Sequence, residues 1–251
     1  MHLRVRPLAL ALAAVFTLIS TPSVLAQAPA TPVTVYFDRA HGEGPVPARM
    51  PVLSTRLGMT LEEKTGTIDA AALRGHRIVY LRAPANEFTE PERTAIVEYV
   101  KSGGSLLLVV DEEQRQKLAV TRVNDVIAPF GLSLTGDTPY LHNTGAVSRA
   151  GDVTKGAYEL PYSGGRAING GTAFAWQLDA DGKPAQPFAA YVAVPGGGRV
   201  VAMAEGMASL LLGTPEGKRL TGPPRDAVNT VYWGKDSEAF MVDVFSWLLR
   251  R

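Results

Sequence analysis

The chain has 251 residues, with 25 Lys and Arg against 24 Asp and Glu, a formal net charge of +1 and no cysteine. The scattered charges contain no Lys/Arg run, which excludes a nucleic-acid-binding profile. The lack of thiols excludes disulfides, a lipid-carrying cysteine and a cysteine nucleophile, so stability must come from one apolar core, which this length can supply.

Arg4 and Arg6 give a basic start, Leu8 to Ile19 is apolar, and Val24 and Ala26 are small residues at the −3 and −1 positions of a cleavage site. This reads as a secretory signal peptide over residues 1–26, cut before Gln27, with Ala28 as the neighbouring alternative. The apolar run is shorter than the ~20 residues a bilayer span needs, and Thr21-Pro22 interrupts it. No membrane span is therefore expected after cleavage. Losing Arg4 and Arg6 turns the formal charge from +1 to −1. Residues 27–251 are expected to form one domain in the periplasm or outside the cell.

Val33 to Phe37 is β-branched and aromatic and ends at Asp38, after which Gly42, Gly44, Pro45 and Pro47 mark a loop. Leu53 to Leu57 is a short helical stretch stopped by Gly58, Met59 to Lys64 a partly polar strand suited to a sheet edge, and Arg77 to Leu81 a third strand. Thr89-Glu90-Pro91-Glu92 is a capping box, in which Thr89 and Glu92 satisfy backbone N–H groups left open by the first helical turn. That helix carries Ile96, Val97 and Val100 and stops at Gly103-Gly104. Ser105 to Val110 is continuously apolar, the pattern of a central strand covered on both faces. Val120 to Phe130 reads as a helix, Leu132 to Leu134 as a strand, and 136–182 as a weakly patterned stretch. Phe188 to Val194, Gly196 to Gly198 and Arg199 to Ala204 form a hairpin pattern. Ser237 to Leu249 places Phe240, Val244, Trp247 and Leu248 on one helical stripe.

Alternating strand and helix through Leu134 predicts an α/β, doubly wound, mostly parallel sheet flanked by helices, with a late β-hairpin. Within that frame, Phe88 to Glu90 and Tyr99-Val100-Lys101-Ser102-Gly103-Gly104-Ser105-Leu106-Leu107-Leu108 resemble a phrase of class I glutamine amidotransferase-like domains. That superfamily includes trehalose-utilisation-type proteins, auxiliary domains of gliding-motility ABC transporters and a domain of intraflagellar transport proteins. Asp38-Arg39-Ala40-His41-Gly42 resembles the Asp-x-Ala-His-Gly opening of uncharacterised members, and Gly198 to Val201, Asn229 and Trp247-Leu248 also fit. In the catalytic families the resemblance implies a nucleophile elbow bearing cysteine after the Gly-Gly strand. Here that exit is Val110-Asp111-Glu112-Glu113, so the resemblance implies a non-catalytic member.

Ligands of open α/β sheets gather at the carboxyl ends of the strands. The residues there are Asp38, Arg39, His41 and Glu43, then Arg82, Asn86 and Glu87, then Asp111 and Glu112, and finally Glu205. Asp38-x-x-His41-x-Glu43 suits a polar ligand, an acid–base pair or, with His142, a divalent metal; fixing the first turn is the plainer reading. Metal sites announce themselves by tighter spacing or a helical His pair, and neither is present, so no metal and no cofactor are assigned. Asp111, Glu112 and Glu205 suit the acid and base of glycoside cleavage, but capping of the following helix by Asp111 and Glu112 is favoured. Tyr158, Tyr162 and Arg166 suit either sugar stacking or ordinary loop packing. The expectation is an exported, non-catalytic module that binds a small polar ligand or an envelope protein partner at this rim. The alternative is a carbohydrate-active hydrolase using Asp38, His41, Asp111 and Glu205.

Overall fold

The computed structural model describes residues 32–139, 145–160, 162, 165–205, 219–220, 231–232 and 235–251. The signal-peptide segment, His142 and Asn229 lie outside the described residues.

The first half alternates as its periodicity predicts: β1 (Val33–Asp38), α1 (Met50–Leu57), β2 (Met59–Lys64), α2 (Ala70–Leu73), β3 (Ile78–Arg82), α3 (Glu90–Lys101) and β4 (Ser105–Val109). α4 (Leu118–Thr121), α5 (Val123–Ile127), β5 (Ser133–Asp137), β6 (Ala146–Ser148), β7 (Glu159–Leu160), β8 (Arg166–Asn169) and β9 (Thr172–Leu178) follow. β10 (Pro184–Ala193), β11 (Arg199–Met203), β12 (Arg219–Leu220), β13 (Val231–Tyr232) and α6 (Lys235–Leu249) complete the order.

One sheet runs β2-β1-β3-β4-β11-β10-β9-β6-β7. Its first five strands are parallel, and the remaining four extend it as an antiparallel wing. β3 and β4 are buried along their whole length, which is why their sequences are apolar without alternation. β2 lies at the edge, as the polarity of Glu62, Glu63 and Lys64 requires. Arg82, Val109 and Met203 stand in register across β3, β4 and β11, so the carboxyl ends of the parallel strands form one rim. From β1 the chain goes outward to β2 and then returns past β1 to β3. The crevice between the ends of β1 and β3 is therefore the topological switch point.

α6 packs with α1 and against β4 and β11, while α2, α3 and α5 form a second helical layer. Phe240, Val244, Phe245 and Leu248 of α6 are fully buried, and the Ser105 hydroxyl donates to the Leu248 carbonyl at 2.8 Å.

Two expected elements change form. The helix expected over Val120 to Phe130 breaks at Arg122, which adopts φ 60°, leaving α4, α5 and a 3-10 turn at Ala128–Phe130. The strand near Leu132 becomes β5, which pairs with β8 in a separate two-stranded sheet. Antiparallel β6 to β9 come from the weakly patterned stretch, whose strands are short or half-exposed and so carry little periodicity.

Candidate functional site

β1 carries its last four residues, Val35 to Asp38, into complete burial, and Asp38 ends the strand with no exposed surface. The loop beyond it folds back on that carboxylate. The Ala40 amide donates to Asp38 Oδ1 at 3.2 Å, and His41 Nδ1 lies 2.6 Å from Asp38 Oδ2. The His41 amide donates to Glu43 Oε2 at 2.9 Å. Gly42 turns the chain at φ +80°, where a Cβ would lie 3.0 Å from the Ala85 Cβ and 3.2 Å from Asn86 Nδ2. Glycine is thus needed both for the turn and for the approach of the loop after β3. Ala83 starts that loop in the left-handed region at φ 54°, and the Ala85 and Asn86 amides both donate to the His41 carbonyl, at 2.8 and 2.9 Å.

The N-terminus of α3 closes the group from the other side. The expected capping box is present, with Glu92 Oε2 accepting from the Thr89 amide at 3.0 Å and from its hydroxyl at 2.7 Å. The same carboxylate does two further things. Oε1 accepts from the Ile68 amide at 3.2 Å, and Oε2 lies 3.2 Å from His41 Nε2. Phe88 stacks on the imidazole, with ring centroids 4.1 Å apart. Sequence reasoning assigned Glu92 to the cap alone; its reach to a histidine 51 positions earlier exists only because β1 and β3 are neighbours.

Both imidazole nitrogens therefore face carboxylates, an arrangement that suits the doubly protonated ring. Burial by itself would lower the His41 pKa, but the hydrogen bonds and charges of Asp38 and Glu92 outweigh it and raise the pKa above its ordinary value. Glu92 is held below the usual carboxylate range: burial opposes this, and the bonds from Thr89, Ile68 and His41 prevail. Glu43 moves the other way, pushed up to about 8 by burial and by the adjoining Asp38 carboxyl. Its Oε1 is buried without a hydrogen-bond partner. One donor atom each from Asp38, His41 and Glu43 fall within 4.8 Å of one another. Beneath the group, the buried Tyr36 phenol is made harder to ionise by burial and then by the charges of Asp38, Glu92 and Glu43.

The rim residues expected to converge divide into separate sets. Arg39 turns outward to an ion pair with Glu63 on edge strand β2, and Glu87 pairs with Arg93 at 3.7 Å. Arg82, Asp111, Glu112 and Glu205 are all buried at the ends of β3, β4 and β11. Asp111 and Glu112 do not cap α4, whose first residue they precede by several positions. Asp111 Oδ1 accepts the Glu112 amide at 2.8 Å, and Arg115 Nε lies 3.5 Å from Asp111 and 3.3 Å from Glu112. Glu113 instead approaches the start of α4, its Oε2 lying 3.5 Å from the Leu118 amide.

Arg166 belongs to this second set as a fully buried brace. It donates to the carbonyls of Asp111 (2.6 Å), Thr135 (3.0 Å) and Gln116 (2.6 Å) and pairs with Glu113 at 2.5 Å. Tyr162 is buried with its hydroxyl on the Ala204 carbonyl, and Tyr158 bonds Asp243 of α6 at 2.8 Å. Packing, not sugar stacking, accounts for all three.

The mixed sheet, whose first five strands are parallel and flanked by helices in two layers, matches glutamine amidotransferase-like and ThuA-like folds among solved structures. The N-terminal domain of mmIFT52 superposes with a TM-score of 0.60 at 15% identity, covering 87% of this chain and 98% of that one. A protein from Thermoplasma acidophilum described as a component of GMP synthase gives 0.52 at 12% identity, covering 87% and 94%. A ThuA-like protein from Bacteroides uniformis gives 0.51 at 12% identity, covering 91% and 95%. More narrowly, the family described as the IFT52 GIFT domain matches residues 49–141, the stretch from α1 through β5. Comparison with curated protein sequences returns no significant match.

Proposed function

We propose that the chain is an exported, non-catalytic binding module that holds a small polar ligand at the β1–β3 switch point, through the loop bearing Asp38, His41 and Glu43. The convergence of these three buried side chains with Glu92 at that crevice carries the reading, because this is where open α/β sheets take their ligands. The rigid support of the loop by α3 and by the Ala85 and Asn86 amides suits preorganised binding.

The hydrolase reading is supported less well. An acid and a base must reach the scissile bond within hydrogen-bonding distance. Asp38 has no exposed surface, and His41 and Glu43 are each 5% exposed, so they offer little face to a polysaccharide. No cysteine is present to supply the thiol chemistry of the catalytic relatives.

Two measurements test the proposal. Mass spectrometry of the protein recovered from the cell envelope should find a chain beginning at Gln27; retention of residues 1–26 would overturn export with cleavage. A thermal-shift screen of that chain against sugars, amino acids, organic acids and metal salts should find a stabilising ligand. The shift should vanish in His41→Ala and survive in Glu98→Gln, which lies on the exposed face of α3. No shift from any compound would overturn the small-ligand reading in favour of an envelope protein partner.

A further inference from the structure

Resting on the site just described, we infer that its first occupant is a divalent transition-metal ion bound by Asp38, His41 Nδ1 and Glu43, with Glu92 orienting the imidazole from behind. The donors come from one short loop and lie within 4.8 Å of one another, and all three residues are buried. Their arrangement leaves a specific gap. Glu43 Oε2 accepts the His41 amide, but Oε1 is buried with no partner while the carboxyl adjoins Asp38. Two buried carboxyl groups side by side need a positive centre between them, a shared proton or a metal ion, since an unsatisfied buried acceptor costs about 1–3 kcal/mol and a charged one more.

The surroundings of the histidine match what a metal-binding imidazole requires. Metal-ligating histidines present one nitrogen to the ion and the other to a carboxylate or carbonyl, which fixes the ring. His41 Nε2 faces Glu92 at 3.2 Å, and Glu92 is itself held by three donor groups from Thr89 and Ile68. Phe88 fixes the ring plane by stacking at 4.1 Å. One imidazole with two carboxylates suits Mn²⁺ or Zn²⁺, whereas Ca²⁺ takes six to eight oxygen donors. Three protein donors leave coordination positions open, through which a small polar molecule would be captured. On binding, the ion replaces whatever proton the Asp38–Glu43 pair and His41 Nδ1 hold, and those protons leave to solvent.

Isothermal titration of the EDTA-treated mature chain with MnCl₂, ZnCl₂ and CaCl₂ tests the inference, alongside metal analysis after dialysis. The expected result is one Mn²⁺ or Zn²⁺ per chain, with Ca²⁺ bound far more weakly. His41→Ala and Glu43→Gln should each weaken binding at least ten-fold, and Glu92→Gln by roughly 10–100-fold through the orienting contact. Glu43→Gln keeps an oxygen for the His41 amide, so it decides the matter if His41→Ala fails to fold. Absence of stoichiometric binding, or binding unchanged in Glu43→Gln, would overturn the inference and leave a shared proton as the positive centre. A chain that binds no metal but is stabilised by a small molecule in a His41-dependent way loses this inference and keeps the binding-module reading; one that binds neither loses both.

Discussion

Glu43 and His41 respond to pH in the same direction, although one is an acid and the other a base. The Glu43 pKa is about 8 in the folded chain, because of burial and then Asp38, against roughly 4.3 for an unfolded glutamate. The folded state holds this proton more tightly, so stability falls as pH rises from about 5 to about 8. His41 is raised above its ordinary value by Asp38 and Glu92 despite the opposing effect of burial. Its stabilisation is complete below about pH 6.5, the unfolded value, and is lost as pH rises through the folded value. Glu92, held low against the burial that opposes it by the bonds from Thr89, Ile68 and His41, acts in the opposite sense: its contribution is present above the unfolded value and is lost as pH falls through its depressed folded value. Metal-free wild type should therefore lose on the order of 2 kcal/mol more than Glu43→Gln between pH 6 and 8.5, measured by urea denaturation in EDTA. Parallel pH profiles for the two proteins would mean that Glu43 ionises normally.

At the scale of elements, the hairpin turn between β10 and β11 is docked on the C-terminus of α3. The Val194 amide donates to the Gly198 carbonyl at 2.8 Å, and a Cβ on Gly198 would stand 2.0 Å from the Val100 carbonyl oxygen. That atom is helix backbone and cannot step aside, so Gly198→Ala should cost roughly 3 kcal/mol or more by overpacking. Gly75 makes a useful contrast: its φ is +85° but nothing lies within 4 Å of the added Cβ. Gly75→Ala then carries backbone strain alone, about 1–2 kcal/mol. Chemical denaturation of the two variants separates collision from strain, and equal losses would refute the docking. The glycine run, the capping box at Thr89 and the apolar run from Ser105 were all legible because they are local: caps, turns and covered strands leave short-range marks in sequence. The break at Arg122 and the reach of Glu92 to His41 were not, since each depends on what neighbouring segments do in space. Half of the site could be read from Asp38, His41 and Glu43; Glu92, Phe88 and the Ala85 and Asn86 amides needed the β1–β3 adjacency to appear.

For the molecule as a whole, the position of the site has a thermodynamic consequence. Its parts come from the end of β1, the loop after β3 and the first turn of α3, and the flanking residues Phe37, Leu81, Phe88 and Ile96 belong to one buried apolar cluster that extends to Leu249 of α6. A ligand that bridges those parts is thus coupled to the entire core and not to a locally unfolding loop. Binding to the folded state alone stabilises by RT ln(1 + [L]/Kd), about 2.7 kcal/mol at a hundred times Kd. At this chain length each kcal/mol raises Tm by about 2–4 °C, so the expected rise is roughly 5–10 °C. Differential scanning calorimetry with increasing Mn²⁺ or Zn²⁺, or any ligand found in the screen, should move a single transition upward without splitting it. Circular dichroism, which follows the helices, and Trp fluorescence should report the same midpoint at every concentration. Trp176 lies on β9 of the antiparallel wing and Trp247 on α6, whereas circular dichroism includes α3, whose first turn helps to form the site, so the two probes weight the wing and the rim differently. If the ligand shifts one probe and leaves the other in place, the rim and the wing unfold independently, and the single-core coupling between them is wrong.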